Sequence, residues 1–176
     1  PVTQRLGPEH DGWNIAKYML SRERLGIAEV PRTRAIIERL KELSYSETAS
    51  HDDFLTDPVF RSQISQLEIE LLTLEATEQN YLFSNGEVEE LGAEVCLLKI
   101  RGSELQQRAT ELILDALAYH GLPDQLTVPE RTNHAVPGPK EALNAARWYF
   151  NNRKLSIYGG SNEIQKNIIS KAVLGL

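Results

Sequence analysis

The stretch "DPVFRSQISQLEIELLTLEATEQNYLFSNG" (57–86) decides the fold, because one run contains a helix start, an apolar stripe and a helix stop. Asp57 is a good N-cap residue, and Pro58 falls at the first helical position, where its missing N–H has no consequence. The sequence therefore predicts an amphipathic helix from Pro58 to Phe83, ended by "SNG" (84–86). Its apolar stripe consists of Ile64, Leu67, Leu71 and Leu74.

Upstream of this stretch, apolar residues at a spacing of three to four predict another helix, from Asp11 to about Leu43. Ser21 is a candidate restart point, and Pro31 should kink the helix because proline lacks the N–H of the helical ladder. The polar segment 44–53 has no period and predicts a loop. The apolar positions of the helix are Trp13, Ala16, Leu20, Ile27, Val30, Ile37 and Leu40.

Downstream, the longest predicted helix extends from Glu87 to about His120, followed by a proline-bearing polar stretch, 122–138. A further helix is predicted from about Pro139 to Leu155, and a short one after "IYGGS" (157–161). Since strand patterns are essentially absent, we expect an all-α protein, an antiparallel four-helix bundle with an additional short C-terminal helix. Apolar residues that suit burial in the longest helix are Val88, Leu91, Val95, Leu98, Leu105, Leu112 and Leu117.

Length and composition exclude several classes of protein. The 176 residues suffice for one domain, and 41% hydrophobic with 25% charged residues is an ordinary globular mixture. The net charge is −6, and residues 41–94 hold 13 acidic but only two basic side chains. Because this acidic region would repel phosphates, no nucleic-acid partner is predicted, and a solvated acidic helix face is favoured over a docking surface.

Other sequence features argue against metal, disulfide and membrane-spanning proteins. Cys96 is the single cysteine, expected as a buried thiol, and none of the four histidines has a metal-ligand spacing. No apolar run is long enough to span a membrane, and the N-terminus lacks a basic-then-apolar signal pattern. We therefore expect a cytoplasmic protein, and the Pro1 start suggests that the chain was cut from something longer.

The C-terminal stretch "RKLSIYGGSNEIQKNIISKAVLGL" (153–176) is where chemistry is most strongly indicated. Gly159 and Gly160 permit a tight turn, after which Ser161 can cap a helix whose free N–H groups bind anions. Tyr158 and Glu163 offer polar groups to a nucleotide or its ribose. On these grounds alone, a plain helix–turn–helix joint capped by serine is the favoured interpretation.

The same stretch resembles the C-terminal signature of acyl-CoA dehydrogenases, Tyr-(Glu or Gly)-Gly-(Thr or Ser)-x-(Gln or Glu)-Ile-Gln, with the Val-Leu-Gly ending common there. "GW" (12–13) followed by long helices is similar to the family's C-terminal four-helix domain. The resemblance implies that residues 1–176 are that domain, the family's N-terminal helical and middle β domains being absent. It further implies a flavoprotein of fatty acid metabolism that holds FAD in its full-length form and not firmly in this fragment.

The resemblance also assigns site residues. The family's Gly-(Thr/Ser) turn faces FAD and the acyl thioester, which implies substrate contact at Gly160 and cofactor contact at Ser161 and Glu163. The glutamate base that often precedes this turn is Gly159 here, and glycine cannot accept a proton. Isovaleryl- and long-chain acyl-CoA dehydrogenases carry the base on the domain's first long helix, and "SRERLGIAEV" (21–30) matches that context. The implied base is Glu23, with the neighbouring Arg24 as a substrate contact.

Two family elements differ in this chain. The family's Arg-x-x-Phe-Gly element corresponds to "HDDFLTDPVFRSQ" (51–63), and its Gln-x-x-Gly-Gly-x-Gly element corresponds to "DALAYHGLPDQ" (115–125), which keeps only Gly121. The leading hypothesis is thus the C-terminal domain of an FAD-dependent acyl-CoA dehydrogenase. Its implied partners are acyl-CoA, an electron-transfer flavoprotein or similar acceptor, and further subunits in a homo-oligomer or heteromer. A non-catalytic subunit of a heteromeric dehydrogenase and a helical interaction module are the alternatives.

Overall fold

A computed structural model describes residues 2–44, 57–84, 92–123 and 138–176. Within these ranges the chain forms α-helices joined by short 3₁₀ turns and contains no strand, which confirms the all-α prediction. The α-helices are α1 (Gly12–Glu23), α2 (Val30–Ser44), α3 (Pro58–Ser84), α4 (Cys96–Leu117), α5 (Ala145–Asn152) and α6 (Asn162–Ile169).

Helix α4 is the centre of the fold, since α2, α3, α5 and α6 all pack against it. Its buried side chains include Leu98, Leu105 and Leu112, as the apolar pattern predicts. Arg34 of α2 pairs with Glu75 of α3, and Lys41, further along α2, pairs with the earlier residue Glu68. The two helices are therefore antiparallel. The full antiparallel four-helix arrangement stays a prediction that this pair supports.

Helix α3 agrees closely with its sequence signals. It begins at Pro58, and the backbone N–H of Val59 donates to Oδ1 of Asp57 at 2.8 Å, which is the predicted cap. All four residues of the predicted apolar stripe are buried. The start, the buried face and the end near Phe83 are therefore confirmed.

The prediction of a single kinked helix from Asp11 to Leu43 is wrong, because the structure has two helices there. Helix α1 passes through Ser21 without a restart and ends at Glu23, and a 3₁₀ turn, Arg24–Ala28, follows. Glu29 has a φ of +48°, after which α2 begins with Pro31 in its first turn. Because a first-turn residue needs no N–H partner, Pro31 starts a helix here and does not kink one. The side chain of Trp13, 70% exposed, lies outside the core.

The boundaries of the later helices also differ from the prediction. The α-helix predicted from Glu87 begins only at Cys96, after a 3₁₀ turn, and Val88 and Leu91 lie outside the described residues. The helix predicted from Pro139 to Leu155 is divided into two 3₁₀ segments flanking α5. Its aromatic residue Phe150 is 69% exposed, while the buried side chains include those of Ala142, Ala145, Asn152 and Leu155. The predicted loops fall mostly in 45–56 and 124–137, which the structure does not describe.

The acidic residues of α3 are not a freely solvated face. Glu68 and Glu75 pair with cations of α2, and the mostly buried Glu70 pairs with Arg101 and Arg108 of α4. The excess acid in this region is thus partly neutralised across helix interfaces, a pairing of distant residues that charge counting along the chain does not show.

Candidate functional site

The predicted glycine turn and serine cap are both present before α6. Gly159 and Gly160 have φ values of +68° and +87°, where side chains other than glycine are strained. A Cβ on Gly160 would lie 2.5 Å from Nε2 of Gln165, which is the end of a flexible side chain, so the positive φ is what favours glycine there. Ser161 is the N-cap of α6, and its Oγ accepts from the N–H of Ile164 at 3.3 Å.

Glu163 lies exposed in the first turn of α6, beside the positive end of the helix dipole. Hydrogen bonds from its own backbone N–H and from the Ser161 hydroxyl lower the pKa of its carboxyl. The helix terminus therefore already stabilises a carboxylate of this chain. Such a terminus suits the hydroxyl groups of a ribose or ribityl chain, which donate to a carboxylate, better than a phosphate, which Glu163 would repel.

Glu23 and Arg24 lie at the junction of α1 and the following 3₁₀ turn. Their backbone is described, and their side chains lie outside the described residues. The turn that follows them approaches the glycine pair, since a Cβ built on Gly159 would lie 3.5 Å from Cδ1 of Ile27. The fold thus brings the segment after Glu23 next to the turn that contains Gly160 and Ser161, although Ile27 and Gly159 are 132 positions apart in sequence.

A cavity of about 50 Å³ lies at this junction. Ile27, Glu29 and Tyr158 line its more exposed side. Its buried side is formed by Lys99, Ser103, Gln106 and Leu155, three of which are polar residues of α4. The cavity is therefore polar at its floor and is bordered by both segments that the sequence resemblance selects.

Lys99 is a charged residue in the interior, only 4% exposed. Its Nζ donates to Oδ1 of Asn162 at 2.7 Å, and the Asn162 amide donates to Oγ of Ser103 at 3.1 Å. Burial lowers the pKa of the Lys99 ammonium, and the nearby Glu163 carboxylate opposes that shift. These contacts tie α4 to the first residue of α6 and hold the glycine turn in place.

Gln106 lies on the same face of α4 and is 1% exposed. Its Nε2 donates to Oε2 of Glu29 at 3.0 Å, and Arg32 donates to the same carboxylate oxygen. Because a carboxylate only accepts hydrogen bonds, the Gln106 amide must turn its NH₂ group toward Glu29. Its Oε1 is then left without a partner among the described residues, as are both amide atoms of Asn152.

Sequence reasoning missed this polar cluster, although a signal was present. Lys99, Ser103 and Gln106 follow one another at intervals of four and three, which places them on one face of α4 among buried apolar residues. It also missed Gly102, where an added Cβ would lie 2.5 Å from the carbonyl oxygen of Ala28. That close approach holds the turn after Glu23 against α4.

In the described part of the chain, no group of three or more His, Cys, Asp or Glu side chains could hold a metal ion. The described helices also include none that is long and apolar enough to cross a membrane. Cys96, the single cysteine of the sequence, is buried, as predicted.

Sequence comparison identifies the class of protein that this helical domain and its glycine turn represent. Residues 10–174 match the family model described as the acyl-CoA dehydrogenase C-terminal domain, so the chain belongs to the acyl-CoA dehydrogenase family. The predicted family is thereby confirmed.

Two individual acyl-CoA dehydrogenases are similar to this chain in sequence. The chain is 28% identical to acyl-CoA dehydrogenase IpdE1 of Mycobacterium tuberculosis over 174 residues, 97% of this chain and 40% of that protein. It is also 28% identical to acyl-CoA dehydrogenase IpdE1 of Mycolicibacterium smegmatis over 171 residues, covering 97% and 38% of the two chains. The chain therefore spans about two fifths of the length of the curated relatives it matches.

Proposed function

We propose that the full-length protein is an FAD-dependent acyl-CoA dehydrogenase, with residues 1–176 as its C-terminal domain and Glu23 as its base. The observation that carries this proposal is the approach of Ile27 to Gly159. The family carries its base at one of two positions, which correspond to Gly159 and Glu23 in this chain. Gly159 lies beside the turn that follows Glu23. A carboxylate from either position can therefore serve the same reaction centre.

In the proposed reaction, Glu23 removes the α-proton of an acyl thioester. That proton is weakly acidic, and a carboxylate whose pKa is raised by exclusion of water is a suitable acceptor. FAD, when bound, supplies the acceptor for the hydride that leaves the β-carbon. Arg24 and the backbone of Gly160 position the thioester, and the positive φ of Gly160 favours a residue without a side chain at that contact.

Ser161 and Glu163 are the proposed cofactor contacts of this chain. With its lowered pKa, Glu163 is ionised at neutral pH and accepts hydrogen bonds from hydroxyl groups of the cofactor. Family membership supports a homo-oligomer or heteromer that passes electrons to an electron-transfer flavoprotein or a similar acceptor. A cytoplasmic location agrees with a sequence that has a single cysteine, Cys96, and hence no internal disulfide.

The test is anaerobic flavin bleaching in the full-length protein carrying Glu23→Gln. The amide keeps the size of the side chain but cannot take a proton, so we expect flavin reduction by acyl-CoA to slow by about 10²–10⁴-fold. The oxidised flavin spectrum should be unchanged. Glu42→Gln, at an exposed position of α2, is the control and should bleach at the wild-type rate.

A non-catalytic subunit of a heteromeric dehydrogenase is the second candidate, favoured by the two departures from family elements in 51–63 and 115–125. In that case the isolated protein stays unreduced with every acyl-CoA, and activity appears only with a second subunit. If the Glu23→Gln variant bleaches its flavin at the wild-type rate, either alone or with a second subunit, the base lies elsewhere.

A further inference from the structure

The glycine turn by itself does not fix the direction in which α6 leaves it. Gly159 and Gly160 follow one another, and a pair of glycines has more backbone freedom than any other pair of residues. Ser161 caps α6, but this bond to Ile164 lies within the helix and does not hold the helix against the rest of the fold. Contacts from outside α6 must therefore set the orientation of its first turn.

The first residue of α6, Asn162, makes such a contact. Its side-chain amide is buried and is held at both ends. The Oδ1 atom accepts from Nζ of Lys99 at 2.7 Å, and the Nδ2 atom donates to Oγ of Ser103 at 3.1 Å. Because an amide has a different group at each end, this pair of partners on α4 fixes one orientation of the side chain.

The donor in this contact is more costly than packing alone requires. Lys99 is only 4% exposed, and its described hydrogen-bond partner is the neutral Asn162 amide and not a carboxylate. Burying an ammonium group costs free energy, and an apolar side chain of similar length at such a position is often neutral or stabilising. What the charged donor adds is a directional bond to the start of α6.

That bond acts on the two residues beside Asn162, which are Ser161 and Glu163. The Glu163 side chain is exposed while Asn162 points into the fold, so the anchored residue determines where its neighbour is presented. Burial lowers the pKa of the Lys99 ammonium, and attraction to the Glu163 carboxylate works against that shift. The Glu29 carboxylate, which lines the adjacent cavity, already accepts from Gln106 and Arg32.

We propose that Lys99 is a positioning residue for the cofactor, whose buried ammonium acts through Asn162 to hold Ser161 and Glu163 in the orientation that receives FAD. The inference rests on the proposed function, which makes those two residues cofactor contacts. An apolar residue at position 99 would still let α6 pack on α4 but would remove the directional hold. Stability and cofactor affinity should therefore respond differently to its replacement.

The experiment measures two quantities on the full-length protein, with its second subunit if the active form is a heteromer. They are the dissociation constant of FAD, from flavin fluorescence, and the free energy of unfolding of the flavin-free protein. Lys99→Met keeps the length of the side chain and removes the donor, and we expect it to raise the dissociation constant about 10-fold. In a Glu163→Gln background the same change should raise it less, because one of the positioned contacts is already altered.

A double variant separates positioning from packing. Lys99→Met combined with Asn162→Leu replaces both partners with apolar side chains, so the Asn162 amide is no longer buried without its donor. We expect its free energy of unfolding to recover relative to Lys99→Met, while the dissociation constant of FAD stays raised. If Lys99→Met does not fold, the dissociation constant of the double variant decides alone.

Lys154→Met is the matched control. Lys154 also donates to an asparagine, Asn151, at 2.8 Å, but this pair lies exposed on the surface. Neither the free energy of unfolding nor the dissociation constant of FAD should change. An increase in the dissociation constant as large as that of Lys99→Met would overturn the proposal, because loss of any lysine charge would then suffice.

Two further outcomes would overturn the proposal alone, in a wild-type protein that binds FAD and is bleached by acyl-CoA. One is an unchanged dissociation constant in the Lys99 variants, and the other is a double variant that recovers FAD affinity together with stability, which is the signature of packing only. A wild-type protein that binds no FAD in any assembly would instead contradict the proposed function, and this inference would fail with it.

Discussion

Helix α4 packs against two neighbours in contrasting ways. Toward α3 its contacts are apolar inside, and the half-buried charges at the edge, such as Glu70 with Arg108, are paired. Toward α6 its buried face holds Lys99 and Ser103, which contact Asn162, and the neighbouring Gln106 donates to Glu29 while its Oε1 remains without a described partner. Fully satisfied packing stabilises a fold, whereas unsatisfied polar groups do not. The α3 side is thus the stabilising side, and the α6 side carries the proposed site residues Gly160, Ser161 and Glu163.

The largest expected effect on stability is on the α3 side. Leu67 is fully buried in the core, so Leu67→Ala should lower the free energy of unfolding by about 2–5 kcal/mol, from lost burial and the cavity left behind. Urea unfolding of the 176-residue chain measures this loss. Leu72→Ala, at an exposed position of the same helix, should change it little, and equal losses in both variants would contradict the assignment of α3 as the stabilising side.

A somewhat smaller effect is expected where the turn after Glu23 meets α4. In Gly102→Ala the new Cβ would lie 2.5 Å from the carbonyl oxygen of Ala28, a backbone atom that cannot rotate away. The variant should lose about 1–3 kcal/mol despite the better helix propensity of alanine. At Gly26 a Cβ meets nothing within 4 Å, so Gly26→Ala is the control and should be near neutral in the same assay.

The smallest effect concerns the charges at the edge of the α3 side. Burial tends to raise the pKa of Glu70, but hydrogen bonds from Arg108 and Gln66 outweigh it, and the pKa is lowered below its usual 4.5. A lowered carboxyl pKa stabilises the fold above pH 4.5, and that stability is lost as the pH falls through the folded-state pKa.

In Glu70→Gln, unfolding measured from neutral to acid pH should therefore show a weaker pH dependence below 4.5, with a loss of about 1 kcal/mol at neutral pH. Glu104→Gln, which removes an exposed carboxylate paired with Arg101, is the control. If the free energy of unfolding of Glu70→Gln depends on acid pH as strongly as that of the wild type, the ion pair between Glu70 and Arg108 does not stabilise the fold.

Local signals predicted the parts of the fold that depend on neighbouring residues. Asp57 and Pro58 define the start of α3, and Ser161 defines the start of α6, because caps act within one helical turn. The sequence predicted a kink at Pro31, whereas the structure has a new helix that begins just before it. Proline is compatible with both, because it fits a kink and the first turn of a helix. Which of the two occurs depends on the packing of Ala28 against Gly102, a contact between distant residues.

The all-α class, the glycine turn and the family can be recognised in the amino-acid sequence, because periodicity, glycines and a short signature motif are local properties of the chain. The position of Ile27 beside Gly159 and the burial of Lys99 and Gln106 around one cavity are visible only in the folded molecule. Both depend on how α4 is oriented between α6 and the turn after Glu23. That orientation follows from the summed packing of many distant side chains, which no single stretch of sequence encodes.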